Sequence, residues 1–218
     1  SLLPGLLEVA ARNFNRQQTN LSLFECGRVF WPQPGNQLPQ EEKLLAGLVS
    51  GEIPKSWNWP SEEMDFYYLK GIIEKLFEEL NNKEIVFRPT SEYPTFHPGW
   101  TAQILLGDKP IGIMGELHPL VLENYDISQR AWAFEIEMAP LLAGFNKVKT
   151  YKSLPKYPAV QRDMALLMPE KVSAQEALEA IIAAGGDYLE QCRLFDVYRG
   201  QQIPEGYKSM AFSLVYQA

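Results

Sequence analysis

Lys156-Tyr157-Pro158-Ala159-Val160-Gln161-Arg162-Asp163-Met164-Ala165-Leu166-Leu167 decides how this chain folds, because a rigid extended entry here leads straight into an apolar run. The residue before a proline is pushed out of the α region, so Tyr157-Pro158 enters extended. Met164 to Met168 is an apolar run closed by Pro169 and reads as a strand. Ser173 then offers a hydroxyl N-cap with Glu176 three residues on. Ala177, Leu178, Ile181 and Ile182 follow at helical spacing, and Gly185-Gly186 ends the helix. Leu194 to Tyr198 and Lys208 to Tyr216 are two further strand-like runs, parted by the turn-rich Gly200 to Gly206 segment. The order is β-α-β-β.

In Lys208 to Tyr216, alternation puts Lys208, Met210, Phe212, Leu214 and Tyr216 on one face, the expected core face. Tyr207, Ser209, Ala211, Ser213 and Val215 fall on the other. That second set, small and hydroxylated, leaves an open sheet surface. A split βαβ unit of the ferredoxin-like βαββαβ kind needs one more helix and strand after these elements. The reading therefore expects a truncated ferredoxin-like βαββ module over 151–218, with apolar surface and a strand edge left uncovered.

Upstream, Pro4 opens a helix whose Leu6, Leu7, Val9, Ala10 and Phe14 form an apolar stripe opposite Arg12, Asn15, Arg16 and Gln17. Leu21 to Phe30, Leu44 to Val49, Gln103 to Leu106, Ile111 to Glu116 and Ala131 to Ile136 read as strands. Met64 to Leu80 reads as a long amphipathic helix. Strands joined by short turns with a few flanking helices predict an α+β domain over 1–150, built on an antiparallel sheet. Lys147 to Pro155 is the expected join to 151–218.

A chain of 218 residues, 46% hydrophobic and 12% aromatic, can bury a core in each of two domains, and no apolar run approaches the ~20 residues of a membrane span. No export signal is visible at Ser1-Leu2-Leu3-Pro4-Gly5. Two cysteines, Cys26 and Cys192, one per domain, make no disulfide framework and suit a reducing cytoplasm, the expected location. The formal net charge of −7 argues against non-specific nucleic-acid binding. From Tyr151 onward, however, seven basic residues (Lys152, Lys156, Arg162, Lys171, Arg193, Arg199, Lys208) nearly balance eight acidic ones, which permits a local RNA surface.

Catalytic constellations are hard to assemble. Asp108 and Glu116 have no visible acid-base partner, and no Ser-His-Asp or Cys-His spacing suggests a nucleophile. His97 and His118, each followed by proline, could join Glu116 in a metal site. Turn punctuation beside Gly99 and Gly115 is the preferred reading, and no metal site is expected. Trp57-Asn58-Trp59-Pro60 is an aromatic loop expected to pack its rings back on the sheet.

These residues resemble a known family, the β subunits of bacterial phenylalanine-tRNA ligase. Tyr157-Pro158-x-x-x-Arg162-Asp163 and Leu194-Phe195-Asp196-Val197-Tyr198-Arg199-Gly200 look like the opening strand and first hairpin strand of its ferredoxin-fold anticodon-binding domain. Ser1 to Leu7 with Asn13 and Arg16, Leu23 to Phe30, Asp65-Phe66-Tyr67 with Lys70-Gly71, His97-Pro98-Gly99 and Gly115 to Pro119 look like its class II synthetase-like domain, in the same order. The likeness covers essentially the whole chain. One departure is Trp100, where the family pattern carries an arginine after His-Pro-Gly.

The resemblance implies a non-catalytic class II domain that scaffolds an α subunit, in a heterotetramer of two α and two β chains, and contributes to tRNA(Phe) anticodon recognition. ATP and Mg would be used by the whole complex and no cofactor by this part. A working class II site needs fixed arginines for the ATP phosphates. Only Arg28 falls near such a position, and it is expected to pair on the sheet rim. No catalytic residue is therefore assigned. The candidate RNA-binding residues are Arg162, Asp163, Tyr198, Arg199, Tyr207 and Ser209. Leu6, Leu7, Ala10 and Phe14, on the helix matched to the first class II motif, are the candidate subunit interface. With its module truncated, the chain is expected to bind tRNA weakly. Two other readings stay open: a free-standing class II ligase-like enzyme that activates a carboxylate with ATP, and an interaction module with no RNA role.

Overall fold

The structure, a computed structural model, describes residues 1–35, 38–53, 55–58, 60–80, 85–143, 151 and 155–218. The elements run α1 (Leu3–Phe14), β1 (Leu21–Trp31), β2 (Gln40–Ser50), β3 (Glu52–Ile53), β4 (Glu62–Glu63), α2 (Phe66–Glu79), β5 (Ile85–Pro89), β6 (Phe96–Leu106) and β7 (Lys109–Leu117). They continue with α3 (Pro119–Glu123), β8 (Trp132–Glu137), α4 (Met138–Ala143), β9 (Val160–Pro169), α5 (Ala174–Ala184), β10 (Leu189–Tyr198) and β11 (Tyr207–Tyr216). The chain divides into two compact units, Ser1–Lys149 and Thr150–Ala218, an α+β pair with antiparallel sheets. The expected join, Lys147 to Pro155, lies largely outside the described residues.

The first unit is a six-stranded sheet in the order β1-β2-β8-β7-β6-β5, with every neighbouring pair antiparallel. β2 shows why it sits inside: Leu44, Ala46 and Leu48 point to one apolar cluster, and Val49 to a second across the sheet. α1 covers the first face with Leu3, Leu6, Leu7 and Ala10. α2 covers the second with Leu69, Ile73 and Phe77, all fully buried, and starts at Asp65, whose carboxylate accepts the Tyr68 N–H at 2.8 Å. β5 was not foreseen, because Ile85-Val86-Phe87 is too short a run to announce itself beside a long helix.

Two expectations about side chains change. Trp57 does not pack back on the sheet; it is 96% exposed, in a turn that closes on a polar contact, Ser56 Oγ to Asn58 Oδ1 at 2.9 Å. Trp59 lies outside the described residues. Glu116, read as lacking a partner, is buried and takes both forks of Arg130, Nε to Oε1 at 2.7 Å and Nη2 to Oε2 at 3.1 Å.

The second unit is a three-stranded antiparallel sheet, β10-β11-β9, with α5 on one face. Ser173 and Glu176 form the complete capping box: the Glu176 N–H reaches Ser173 Oγ at 3.1 Å, and the Ser173 N–H reaches Glu176 Oε2 at 2.7 Å. The chain leaves the helix through Gly186 at φ +75°, a left-handed turn that a side chain would strain. Met168, Ala177, Ile181, Met210, Phe212 and Leu214 make the core. Lys208 keeps its place on the core face by carrying its ammonium out to the Glu170 carbonyl, 2.7 Å away.

Candidate nucleic-acid interface

The face of the second sheet turned away from α5 is built in cross-strand rows centred on β11. Register opposes Ser209 to Leu167 of β9 and Tyr198 of β10, Ala211 to Ala165 and Asp196, Ser213 to Asp163 and Arg193, and Val215 to Gln161 and Gln191. Each row spans three strands about 4.8 Å apart, and successive rows lie roughly 7 Å apart along the strand. Small side chains on the central strand leave the floor low between taller groups on the flanks. A hollow of about 450 Å³ opens here, lined by Gln161, Asp163, Gln191, Arg193, Phe195, Ser213 and Val215.

A β-bulge sets what the flank displays. Between Leu194 and Asp196 the register with β11 slips by one, so Leu194 opposes Phe212 on the core side while Asp196 opposes Ala211 on the open side. Strict alternation would put Leu194, Asp196 and Tyr198 on one face. The slip turns the leucine, partly buried, toward the core and keeps Asp196 and Tyr198 in the open, with the Phe195 ring, 55% exposed, displayed over the hollow. Arg193, Phe195 and Asp196 were not among the sequence candidates. The signal for the last two was the polarity clash within Leu194-Phe195-Asp196-Val197-Tyr198, which no single alternation satisfies.

Of the sequence-chosen RNA residues, the structure brings Asp163, Tyr198 and Ser209 to this face, with Tyr207 at its Pro169 end. Tyr198 lies back against Gly200, where any Cβ would collide with its hydroxyl. Arg162 falls on the other parity, opposite Leu214, and donates to the Gln161 carbonyl at 3.0 Å. Arg199 is held by Glu170, with Nη2 to Oε1 at 2.7 Å and Nε to Oε1 at 2.9 Å. That hydrogen bond is the chief reason the Glu170 carboxyl sits below its ordinary pKa. On the α5 side, burial pushes the Cys192 thiol up.

In the first unit, Leu6, Leu7 and Ala10 are buried in that unit's own core, and Phe14 packs partly buried against it. Their stripe faces the sheet rather than an outside surface. Arg28 pairs with Glu41 at 3.0 Å on the exposed rim. A hollow of about 200 Å³ beside Leu44 and Ile113 is edged by Glu42, Glu135 and Glu137, and its described lining holds no Lys, Arg or His. A triphosphate entering it would meet carboxylates without a fixed cation. His97 and His118 stack with ring centroids 6.5 Å apart, and each Nδ1 accepts a backbone N–H, from Gly99 at 3.1 Å and Leu120 at 3.2 Å. Both imidazoles thus serve the turns they stand in. Trp100 joins Phe66 and Trp132 in an aromatic group, with the Arg130 guanidinium 5.1 Å from the Trp132 ring centroid.

Comparison with known proteins gives this geometry a family. Residues 1–138 match the model of the phenylalanyl tRNA synthetase beta chain CLM domain, and residues 155–218 that of the ferredoxin-fold anticodon binding domain. The chain belongs to the phenylalanine-tRNA ligase beta subunit family. The beta subunit of Moorella thermoacetica is 46% identical over 217 residues, covering 100% of this chain and 27% of that protein. Those of Symbiobacterium thermophilum and Clostridium tetani are 41% and 43% identical, with 24% and 26% of their lengths covered. The chain therefore spans about a quarter of the length of these family members. Among solved structures, the pyrrolysyl tRNA synthetase PylSc of Desulfitobacterium hafniense superposes with a TM-score of 0.50 at 17% identity, over 65% of this chain and 48% of that one. That likeness concerns the fold alone. Within the family frame, the open face of β9, β10 and β11 belongs to the part matched to an anticodon-binding domain.

Proposed function

We propose that the chain works as the non-catalytic portion of a phenylalanine-tRNA ligase β subunit in ATP-dependent tRNA aminoacylation. Residues 1–150 form a class II-like domain that scaffolds the α subunit. Residues 151–218 contribute to tRNA(Phe) anticodon recognition through the open sheet face. The assembly would be a cytoplasmic heterotetramer of two α and two β chains, with ATP and Mg handled by the complex rather than by this part. The observation that carries the RNA half is the row of Ser209 and Tyr198, an exposed aromatic beside a hydroxyl on the sheet face opposite α5. Unpaired bases stack on aromatic rings and are read along their edges by such polar neighbours. Support for the absence of catalysis comes from the acidic edge of the first unit's hollow and from the pairing of Arg28 with Glu41.

Co-purification with a phenylalanine-tRNA ligase α subunit, followed by ATP-pyrophosphate exchange on each chain alone and on the pair, tests the reading. Association, with exchange absent from this chain alone, is the expected result. Exchange by this chain alone would favour a free-standing ligase-like enzyme, and failure to associate would remove the scaffold role.

A further inference from the structure

On the same reading of the open face as an RNA surface, we propose that it holds a second single-stranded nucleotide. Its site is the Asp163–Ser213–Arg193 row, with Phe195 as platform, two rows along β11 from Tyr198 and Ser209.

The first observation is the placement of Phe195. A phenylalanine on β10 gains most by turning toward the cluster of Phe212, Met210 and Ile181. The bulge after Leu194 instead leaves its ring on the polar face, above a hollow of about 450 Å³. A flat ring beside an open, polar-lined hollow is what a base stacks on, and stacking tolerates any base because each has a π-face.

The second is the division of charge across the row. Arg193 stands on one flank and Asp163 on the other, each beside Ser213, so their backbones lie roughly 10 Å apart across three strands. Neither belongs to an ion pair among the described residues. Arg193 suits a phosphate, and Asp163, which only accepts, suits the amino or imino N–H groups on a base edge. Gln161 Nε2 donates to Ser213 Oγ at 2.9 Å, which leaves the serine proton to donate to whatever occupies the hollow.

The row between, Ala165–Ala211–Asp196, has a methyl floor. A nucleotide crossing it finds little to read except at Asp196, so the two ends of the face act as separate stations on one strand. The ligand is thus single-stranded RNA long enough to span three rows.

Amide-shift titration of the 218-residue chain with ribonucleotide oligomers of increasing length, starting from a mononucleotide, tests the assignment and suits weak binding. Short oligomers are expected to shift Tyr198 and Ser209 alone. Longer ones are expected to add Arg193, Phe195 and Ser213 and to bind more tightly. Phe195→Leu, which keeps the apolar bulk but not the flat ring, should weaken the longer oligomers about fivefold to a hundredfold and leave the mononucleotide unchanged. Arg193→Ala should lower the slope of log affinity against log salt by about 0.7, and Arg193→Lys should restore it. Shifts confined to the Tyr198 end at every length, with Phe195→Leu and Arg193→Ala binding like the parent, would overturn the second station while leaving the RNA reading intact. No shifts anywhere on the face, at any length, would overturn both.

Discussion

The two sheets of this molecule solve opposite problems. The six-stranded sheet is covered on both faces, by α1 on one and α2 on the other. Its inner strands consequently read as near-continuous apolar runs: Leu44-Leu45-Ala46-Gly47-Leu48-Val49 is apolar throughout. The three-stranded sheet carries α5 on one face, and β11 alternates buried Lys208, Met210, Phe212 and Leu214 with half-buried Ser209, Ala211, Ser213 and Val215. One sheet is a wall and the other a surface. The difference separates a sheet whose side chains are packed on both faces from one that turns a face of half-buried and exposed side chains away from its helix.

The sharpest way to break this comparison is to empty each core in turn. Phe77 on the α2 face and Phe212 under α5 are both fully buried. Truncation of a buried phenylalanine to alanine costs about 3–5 kcal/mol. Phe77→Ala is expected to destabilise the first unit and Phe212→Ala the second, each leaving the other transition in place. Urea unfolding followed by probes in each unit checks this. A single transition that both substitutions shift equally would mean the two sheets do not behave as separate cores.

The Arg130–Glu116 pair ranks next. Glu116 is buried and bound by both guanidinium forks, and its hydrogen bond is the chief cause of the raised Arg130 pKa. Arg130→Ala leaves a buried carboxylate without its donor, a loss of about 1.5–3 kcal/mol. It also removes the cation over Trp132. Glu116→Gln should be milder, because the amide oxygen still accepts. The measurement is denaturant stability of the first unit, and equal effects from both changes would show that the charge pair carries the whole loss and the packing on Trp132 adds nothing to it.

These two tests also show where the sequence was legible. Local chemistry read through: the Ser173-x-x-Glu176 box and the parity of β11 follow from residues within one turn or one strand, whereas the helix expected from Met64 starts at Phe66 because Asp65 caps it. What did not read through depends on register or distance. The Glu116–Arg130 pair joins residues 14 apart and is made only when β7 and β8 align. Arg199 meets Glu170 across 29 residues, which a strand-by-strand reading cannot see. The stripe of Leu6, Leu7 and Ala10 announced burial without saying against what, and the unit's own sheet is the answer. On the open face, the place of Ser209 was visible from alternation and Asp163 and Tyr198 were named through the resemblance, whereas Phe195 and Asp196 waited on a bulge.

On the recognition face itself, Tyr198→Ala should weaken binding of single-stranded RNA by about 1–3 kcal/mol, the usual loss of one stacked base. Leu23→Ala on the covered sheet should leave RNA affinity unchanged. Both are read by titration at one fixed salt concentration, since phosphate contacts make affinity salt-dependent. Equal losses from the two would indicate that stability rather than stacking is being measured, and would dissolve the contrast between wall and surface.

The smallest effect concerns how α5 is held over the three-stranded sheet. The Glu176 carboxyl sits below its ordinary pKa, first because the Ser173 N–H donates to it and second because the Ser173 hydroxyl does. A carboxyl depressed in the folded state contributes stability in full above its unfolded pKa, about 4.3, and loses it as pH falls through the lower folded value. Ser173→Ala removes the hydroxyl but keeps the backbone N–H. It should therefore cost about 1 kcal/mol at neutral pH, a fall of roughly 4–8 °C in the melting of a unit this size, and should narrow the acid-dependent loss without abolishing it. Glu176→Gln should remove the acid dependence of this cap altogether. Melting of the second unit at neutral pH and at about pH 3 separates the two, because only the variant without a titrating group at 176 loses nothing from this cap on acidification. If Ser173→Ala and Glu176→Gln respond identically to acid, the cap is not what ties α5 to pH. The first unit serves as the control, since α2 is capped by Asp65 through the Tyr68 N–H and is untouched by either change.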